Sequence, residues 1–201
     1  MEKTICLYLD KPENLRTGRL SKSEWIIFLF LQLTAGTEIV RTTYQELIMK
    51  TGMSINAIRD AIEKLKLSGC IWELSVKERG VMMFETAPPQ SRRRDAIKVR
   101  IPFSEMYFQR YSGLIRISVV AWYVYLLYLS MSDALYNAYV KHNQVMDMLA
   151  INKEEYFSSV RILIAEKFIV PARIFMPYSD RCIYKILLPP EGIYGKGENM
   201  S

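Results

Sequence analysis

Residues that bind metals or act as nucleophiles are scarce in this sequence. It holds three cysteines and one histidine in 201 residues. Cys6, Cys70 and Cys182 lie far apart and form no Cys-x-x-Cys pair, which excludes the usual zinc-binding spacings. His142 has no serine or cysteine close to it in the sequence, so we interpret it as a surface or capping residue. No glycine-rich phosphate loop or paired-carboxylate motif is present, and we expect neither an enzyme nor a bound metal or cofactor.

Long apolar runs are absent as well. The longest runs, 25–31 and 119–129, are shorter than the roughly 20 residues needed to cross a bilayer. The N-terminal residues MEKTICLYLDKPENLR carry charges where a secretory signal needs an apolar stretch. The sparse, odd number of cysteines is typical of a reducing compartment. We therefore expect a cytoplasmic protein without membrane contact.

The charge balance is moderately basic. Lys and Arg total 27 against 21 Asp and Glu, which gives a net charge of +6. This bias suits a polyanionic partner, although charge indicates partners and not fold. Hydrophobic residues make up 50% of the chain, enough for well-packed cores.

The sequence contains an internal repeat. Ser21 precedes Trp25 and the apolar run IIFLFL, and Ser118 precedes Trp122 and the run YVYLLYL, 97 residues later. Each block predicts a serine-capped helix that is apolar on all sides and therefore buried. The elements that follow each block also correspond, which favours a duplication over coincidence.

The first block is followed by a strand candidate, two capped helices and a hairpin. The strand covers 38–41, and Thr43 with Glu46 forms a capping box for the next helix. Gly52 breaks that helix, Ser54 caps a second helix over 54–67, and Gly69 ends it. Period-two alternation in CIWELSVKE, a turn at Arg79-Gly80 and the run VMMFE predict a β-hairpin.

The second block is followed by the same succession, about 98 residues further on. It comprises a helix over 143–150, a helix capped by Asn152, and a hairpin whose first strand contains Pro171 and Pro177, which confine that strand to an edge or bulge it. Strands at 4–9 and 97–101 open the two halves. We place a first domain at 1–88, a basic linker at 89–96, a second domain at 97–190 and a flexible tail at 191–201.

The stretch from Ser54 to Leu65, with Gly69 and Ile71 after it, resembles the winged helix-turn-helix of GntR-type regulators. The resemblance covers about 44–85 and implies that helix 54–67 reads DNA. GntR regulators carry an effector domain after the reader, whereas a second winged helix stands here. A chain of two winged helices also resembles plasmid and phage replication initiators and the small tandem winged-helix subunits of chromosome-condensing complexes. We therefore expect an α+β fold of two tandem winged-helix domains, each a three-helix bundle with a β-hairpin wing.

The outer face of helix 54–67 provides the principal site residues. We expect Ile55, Ile58, Ala61, Ile62 and Leu65 to face the core. The polar or small residues left outside that we assign to DNA binding are Ser54, Asn56, Ala57, Arg59 and Lys64. Asn56 is suited to adenine and Arg59 to guanine or phosphate. The alternative for Arg59 is an ordinary ion pair with Glu63 on a solvated helix.

Other DNA-binding candidates surround this helix. The hydroxyl-bearing start of the first helix, at Thr43, is suited to a phosphate, and the alternative is that Thr43 acts only as a cap. Lys77 and Arg79 flank the tip of the predicted wing, where a solvated turn is the alternative. The run Arg92, Arg93 and Arg94 in the linker is the densest positive spot, suited to phosphates or a narrow minor groove.

The second half departs from this pattern. At the positions of Asn56 and Ala57 it has Glu154 and Glu155, and at those of Arg59 and Lys64 it has Phe157 and Ile162. Carboxylates repel phosphates, and we expect the two apolar residues to be exposed, which is typical of an interface. We assign Phe157 and Ile162 to a homodimer or partner contact.

These patterns predict a sequence-specific protein that binds double-stranded DNA, most simply a transcriptional regulator. The first alternative is a plasmid or phage replication initiator that binds origin repeats through both halves. The second alternative is a tandem winged-helix scaffold subunit that acts through protein contacts.

Overall fold

The chain folds as an α+β protein with small antiparallel sheets, as the sequence predicts. A computed structural model describes residues 3–9, 19–34, 39–76, 78–86, 97–172 and 181–188. Within these ranges there are seven helices and eight strands. None of the helices in the described ranges is both long and apolar enough to cross a membrane.

Among the described residues the elements follow one another in the same order in both halves, except that the second half contains one further helix, Glu105–Ile117. The first half contains β1 (Lys3–Leu9), α1 (Lys22–Thr34), β2 (Ile39–Thr43), α2 (Tyr44–Thr51), α3 (Ile55–Leu67), β3 (Trp72–Leu74) and β4 (Val81–Glu85). The second half contains β5 (Ile97–Phe103), α4 (Glu105–Ile117), α5 (Val119–Ser130), β6 (Asn137–Lys141), α6 (His142–Leu149), α7 (Lys153–Ala165), β7 (Ile169–Pro171) and β8 (Arg181–Ile186). The three-stranded sheets are ordered β2-β4-β3 and β6-β8-β7. The edge position predicted for the Pro171 strand is confirmed, since β7 is the outer strand.

Left-handed backbone positions recur at the same spacing. Gly52 (φ 66°) and Gly69 (φ 64°) follow α2 and α3, and 98 residues later Ala150 (φ 47°) and Lys167 (φ 57°) follow α6 and α7. Left-handed geometry is unfavourable for residues with a Cβ atom. Its retention in the second half therefore shows that the two halves share one backbone path at these helix ends.

The two halves meet through a strand pair and a tryptophan pair. β1 is antiparallel to β5, with Lys3 opposite Phe103 and Leu9 opposite Ile97. The strands predicted to open each half thus pair with each other. Trp25 and Trp122, at equivalent positions of the repeat, pack edge to face with ring centroids 5.8 Å apart. The buried apolar residues of both halves belong to one continuous cluster.

The linker at 89–96 and the tail at 191–201 lie outside the described residues, and the domain boundaries stay a prediction.

Helix α4 was not predicted from the sequence. It begins after Ser104, and its buried side chains recur at helical spacing. Its buried aromatic and aliphatic residues are Tyr107, Phe108, Tyr111, Leu114 and Ile115. α4 packs against both α1 and α5. It therefore belongs to the contact between the halves.

Candidate nucleic-acid interface

Helices α2 and α3 begin at the predicted caps. The Thr43 hydroxyl accepts a hydrogen bond from the Glu46 amide at 3.1 Å, and the Ser54 hydroxyl accepts one from the Ala57 amide at 3.3 Å. Between them, Gly52 ends α2 in the left-handed conformation and donates its amide to the Ile48 carbonyl at 2.9 Å. These local bonds fix where each helix starts and how the chain turns from one to the other.

One face of α3 is buried, largely as predicted. Ile58, Ala61, Ile62 and Leu65 lie in the core. The expectation that Ile55 also faces the core is wrong, because its side chain is 38% exposed at the first turn of the helix. Every fourth or third residue shares a helix face, so the core contacts of these four residues fix which side of α3 points outward.

The outward side of α3 presents polar groups to solvent. Asn56, Arg59, Asp60 and Glu63 are all exposed. The guanidinium carbon of Arg59 lies 5.4 Å from the ring centroid of Tyr44, the first residue of α2. This cation–π contact was not predicted, since it depends on how the two helices cross. It holds the Arg59 side chain beside the α2 N-terminus.

The predicted alternative for Arg59, an ion pair with Glu63, is not seen among the described residues. Glu63 instead pairs with Lys66 at 2.9 Å, and Lys66 pairs with Glu73 on β3 at 2.8 Å. The hydrogen bond that Lys66 donates to Glu73, followed by the one it donates to Glu63, raises the pKa of Lys66. Lys66 therefore joins α3 to the hairpin, and Arg59 is left on the outer face.

Three of the other residues assigned to DNA contact lie within the described part of the first half. Lys64 Nζ is 3.7 Å from the carboxylate of Glu24, which is nearly buried and accepts hydrogen bonds from Ser21. Thr43 serves as a cap, as the alternative interpretation proposed. Arg79 is exposed at the hairpin turn, beside Glu78, which pairs with Arg41.

Four basic residues assigned to DNA contact fall outside the described residues. These are Lys77, Arg92, Arg93 and Arg94. Their roles stay predictions.

The residues of α7 that replace the outer-face residues of α3 do not lie as the sequence predicts. Asn152 and Glu155 form a reciprocal capping box, with bonds of 2.8 and 3.1 Å, so the Glu155 carboxylate is engaged by the backbone. Phe157 is half-buried, 5.4 Å from the His142 ring and 5.1 Å from the Tyr156 ring. Ile162 is likewise half-buried against the core. The expected exposure of Phe157 and Ile162 is wrong because both close over the core, while their interface role stays untested.

His142 is not a capping residue, and it is half-buried. Lys141 holds the N-cap position of α6. The Nδ1 atom of His142 is 2.7 Å from the Tyr156 hydroxyl, and its Nε2 atom is 2.9 Å from the Cys182 sulfur. The sequence could not show this, because Cys182 is 40 residues further along the chain.

The described residues contain no group of three or more His, Cys, Asp or Glu side chains arranged to hold a metal ion.

No protein-family model matches the chain. No curated protein sequence matches it. Among solved structures, the chain is similar to the Pi initiator protein, in a crystal structure described as a complex with iteron DNA. That similarity has 9% sequence identity and a TM-score of 0.46, over 90% of this chain and 95% of that chain.

Proposed function

We propose that this protein binds double-stranded DNA sequence-specifically, with α3 in the major groove. The observation that carries the proposal is the outer face of α3, where Asn56 and Arg59 are exposed and Arg59 lies beside the N-terminus of α2. An α-helix fits the major groove, and residues near the start of a recognition helix reach base edges. In this arrangement each half acts as a winged helix and the first half is the reader.

Asn56 and Arg59 have distinct roles in this mechanism. The Asn56 amide pairs with the N6 and N7 edge of adenine, and the Arg59 fork pairs with O6 and N7 of guanine. The Tyr44 ring restricts the guanidinium before DNA arrives, which lowers the entropy lost on binding. The first-turn amides of α2 that Thr43 does not cap bind a neighbouring phosphate, because helix N-termini attract anions.

The test begins by selecting random duplexes with the full chain and sequencing the enriched motif. Affinity for the selected and a scrambled duplex is then measured by fluorescence anisotropy. Arg59→Ala should weaken specific binding by about 1–3 kcal/mol. Arg59→Lys is the matched variant, because it keeps the charge and loses the bidentate fork.

The two duplexes separate base reading from phosphate contact. If Arg59 reads a base, Arg59→Lys weakens binding to the selected duplex and leaves binding to the scrambled duplex nearly unchanged. A wild-type affinity of both variants for the selected duplex would show that Arg59 has no reading role. Independence of affinity from salt would favour the scaffold alternative, because phosphate contacts release counterions.

A replication initiator is the second candidate, beside a transcriptional regulator. The strand pair and the Trp25–Trp122 contact hold the two halves at a fixed spacing, which suits simultaneous binding of adjacent DNA segments. The capping box also explains why a glutamate stands at position 155, so this carboxylate is not evidence against DNA contact by the second half. Enrichment of direct repeats together with loss of affinity in Arg161→Ala, on the exposed side of α7, would support an initiator. A single operator and an unaffected Arg161→Ala would support a regulator.

A further inference from the structure

A chain of hydrogen-bonding side chains runs through the second half. Tyr128 on α5 is 2.5 Å from the hydroxyl of Tyr156 on α7, which is 2.7 Å from Nδ1 of His142 on α6. Nε2 of His142 is 2.9 Å from the sulfur of Cys182 on β8. Tyr128 and Tyr156 are fully buried, whereas His142 and Cys182 are half-buried, so this row of side chains leads from the core toward the surface.

The position of His142 suits a base. Burial lowers its pKa below the usual value, which favours the neutral ring. When Nδ1–H donates to Tyr156 and Tyr156 donates to Tyr128, Nε2 is left as an acceptor facing the Cys182 thiol. The arrangement has a nucleophile, a base within hydrogen-bond reach, and a third group that orients the base.

We propose that Cys182 is a redox-modification site at which His142 acts as the base and the co-substrate is a hydroperoxide. The sulfur attacks the outer peroxide oxygen while its proton passes to Nε2 of His142. The O–O bond breaks, the sulfur is oxidised by two electrons to a sulfenic acid, and the peroxide is reduced. The departing oxygen recovers the proton from His142 as an alcohol or water.

Cys70 provides a reference within the same protein. It is half-buried like Cys182, and its sulfur accepts a hydrogen bond from the Ser68 hydroxyl at 3.2 Å. A serine hydroxyl cannot take up the thiol proton at neutral pH, so this partner does not activate the sulfur. The two thiols thus differ in the side chain that contacts the sulfur, which is a serine at Cys70 and a histidine at Cys182.

Modification at Cys182 would act on the helix pair of the second half. Cys182 pairs with Val140 on β6, two residues before α6 begins at His142. Oxidation replaces the thiol donor that His142 contacts with a larger S–OH group. The contact that joins β8 to the start of α6 is thereby changed, independently of whether the first half binds DNA.

The test treats the full chain with hydrogen peroxide in the presence of dimedone and measures each cysteine adduct by mass spectrometry. A positioned base contributes about 100-fold or more, and we expect Cys182 to react at least about tenfold faster than Cys70. In denaturing guanidinium the two rates should converge. His142→Gln, which keeps a polar side chain but cannot act as a base, should lower the Cys182 rate to that of Cys70 and leave Cys70 unchanged.

Two results would overturn the proposal. One is a native Cys182 rate no higher than that of Cys70, and it needs no variant. The other is an unchanged rate ratio in a His142→Gln protein whose circular dichroism and melting temperature match the wild type. Should that variant fail to fold, Tyr156→Phe replaces it, since removing the orienting hydroxyl should lower the Cys182 rate with the base still present.

Discussion

The left-handed positions after α2 and α6 give a reciprocal pair of substitutions. Gly52 has φ 66° and Ala150 has φ 47° at equivalent places in the two halves. A Cβ atom added to Gly52 would meet no atom within 4 Å, so Gly52→Ala changes only backbone energetics. The left-handed conformation costs an L-residue about 1–2 kcal/mol, and the smaller unfolded-state entropy of alanine offsets about 0.4–1 kcal/mol. We expect Gly52→Ala to lower the free energy of unfolding by about 0.5–1 kcal/mol.

Ala150→Gly should raise the free energy of unfolding by a similar amount, because it relieves the same strain. Gly113, inside α4, supplies the control, since a Cβ atom there also meets nothing within 4 Å. In a helix interior glycine is less stable than alanine by about 0.5–1 kcal/mol. Gly113→Ala is therefore expected to stabilise, although it is the same chemical change as Gly52→Ala.

Guanidinium unfolding followed by far-UV circular dichroism measures these differences as shifts in midpoint at constant slope. Gly52→Ala should lower the unfolding midpoint and Gly113→Ala should raise it. Midpoints that move in the same direction, or a destabilised Ala150→Gly variant, would show that backbone conformation does not control these positions.

Three further predictions concern the contact between the halves, the candidate interface and pH. Trp25→Ala and Trp122→Ala should each lower the free energy of unfolding by about 3–5 kcal/mol. Their double-mutant cycle should give a coupling energy of about 0.5–1.5 kcal/mol, whereas strictly additive effects would show that the contact between the two rings contributes nothing. Tyr44→Ala should weaken binding to the selected duplex by about 0.5–1 kcal/mol through loss of its contact with Arg59, whereas Tyr44→Phe should keep the affinity; equal losses would assign the effect to the hydroxyl. Burial lowers the pKa of the His142 ring below 6.5. The neutral ring therefore stabilises the fold fully above pH 6.5, and this stabilisation is lost as the pH falls below 6.5, because the unfolded chain binds the proton more readily. Urea midpoints measured at neutral and mildly acidic pH should show a smaller acid loss in His142→Gln than in wild type, and equal losses would contradict this assignment.

Local chemistry made the helix-turn-helix segments predictable. Caps at Thr43, Ser54 and Asn152 and the break at Gly52 depend on residues within a few positions of one another. Their hydrogen bonds form in the same way wherever the segment lies in the fold. The alternation around Trp72 predicted the hairpin for a similar reason.

Helix α4 could have been found by its spacing. Tyr107, Phe108, Tyr111, Leu114 and Ile115 fall on one helical face after a serine and a glutamate. The sequence repeat is defined by the blocks at Trp25 and Trp122, and the α4 segment has no matching segment in that repeat. Repeat-based prediction thus overlooks elements that only one half shows clearly.

Contacts between distant segments could not be predicted from the sequence. Arg59 was expected on the outer face of α3, but its contact with Tyr44 depends on the crossing of two helices. Phe157 was expected in solvent because its equivalent, Arg59, is exposed. In the second half the rings of His142 and Tyr156 occupy the adjoining space and cover it.

The pairing of β1 with β5 has a consequence for synthesis of the chain. At about 5–20 residues per second, Ile97 emerges from the ribosome roughly 4–18 s after Leu9, its partner in the sheet. Throughout that interval the backbone of β1 has no β5 to pair with, and Ile5 and Leu7, buried in the final fold, lack part of their cover. Helices α1 to α3 and their hairpin can form meanwhile from local contacts. β1 thus reaches its final place well after its own synthesis, and the nascent chain is most prone to aggregate before β5 arrives.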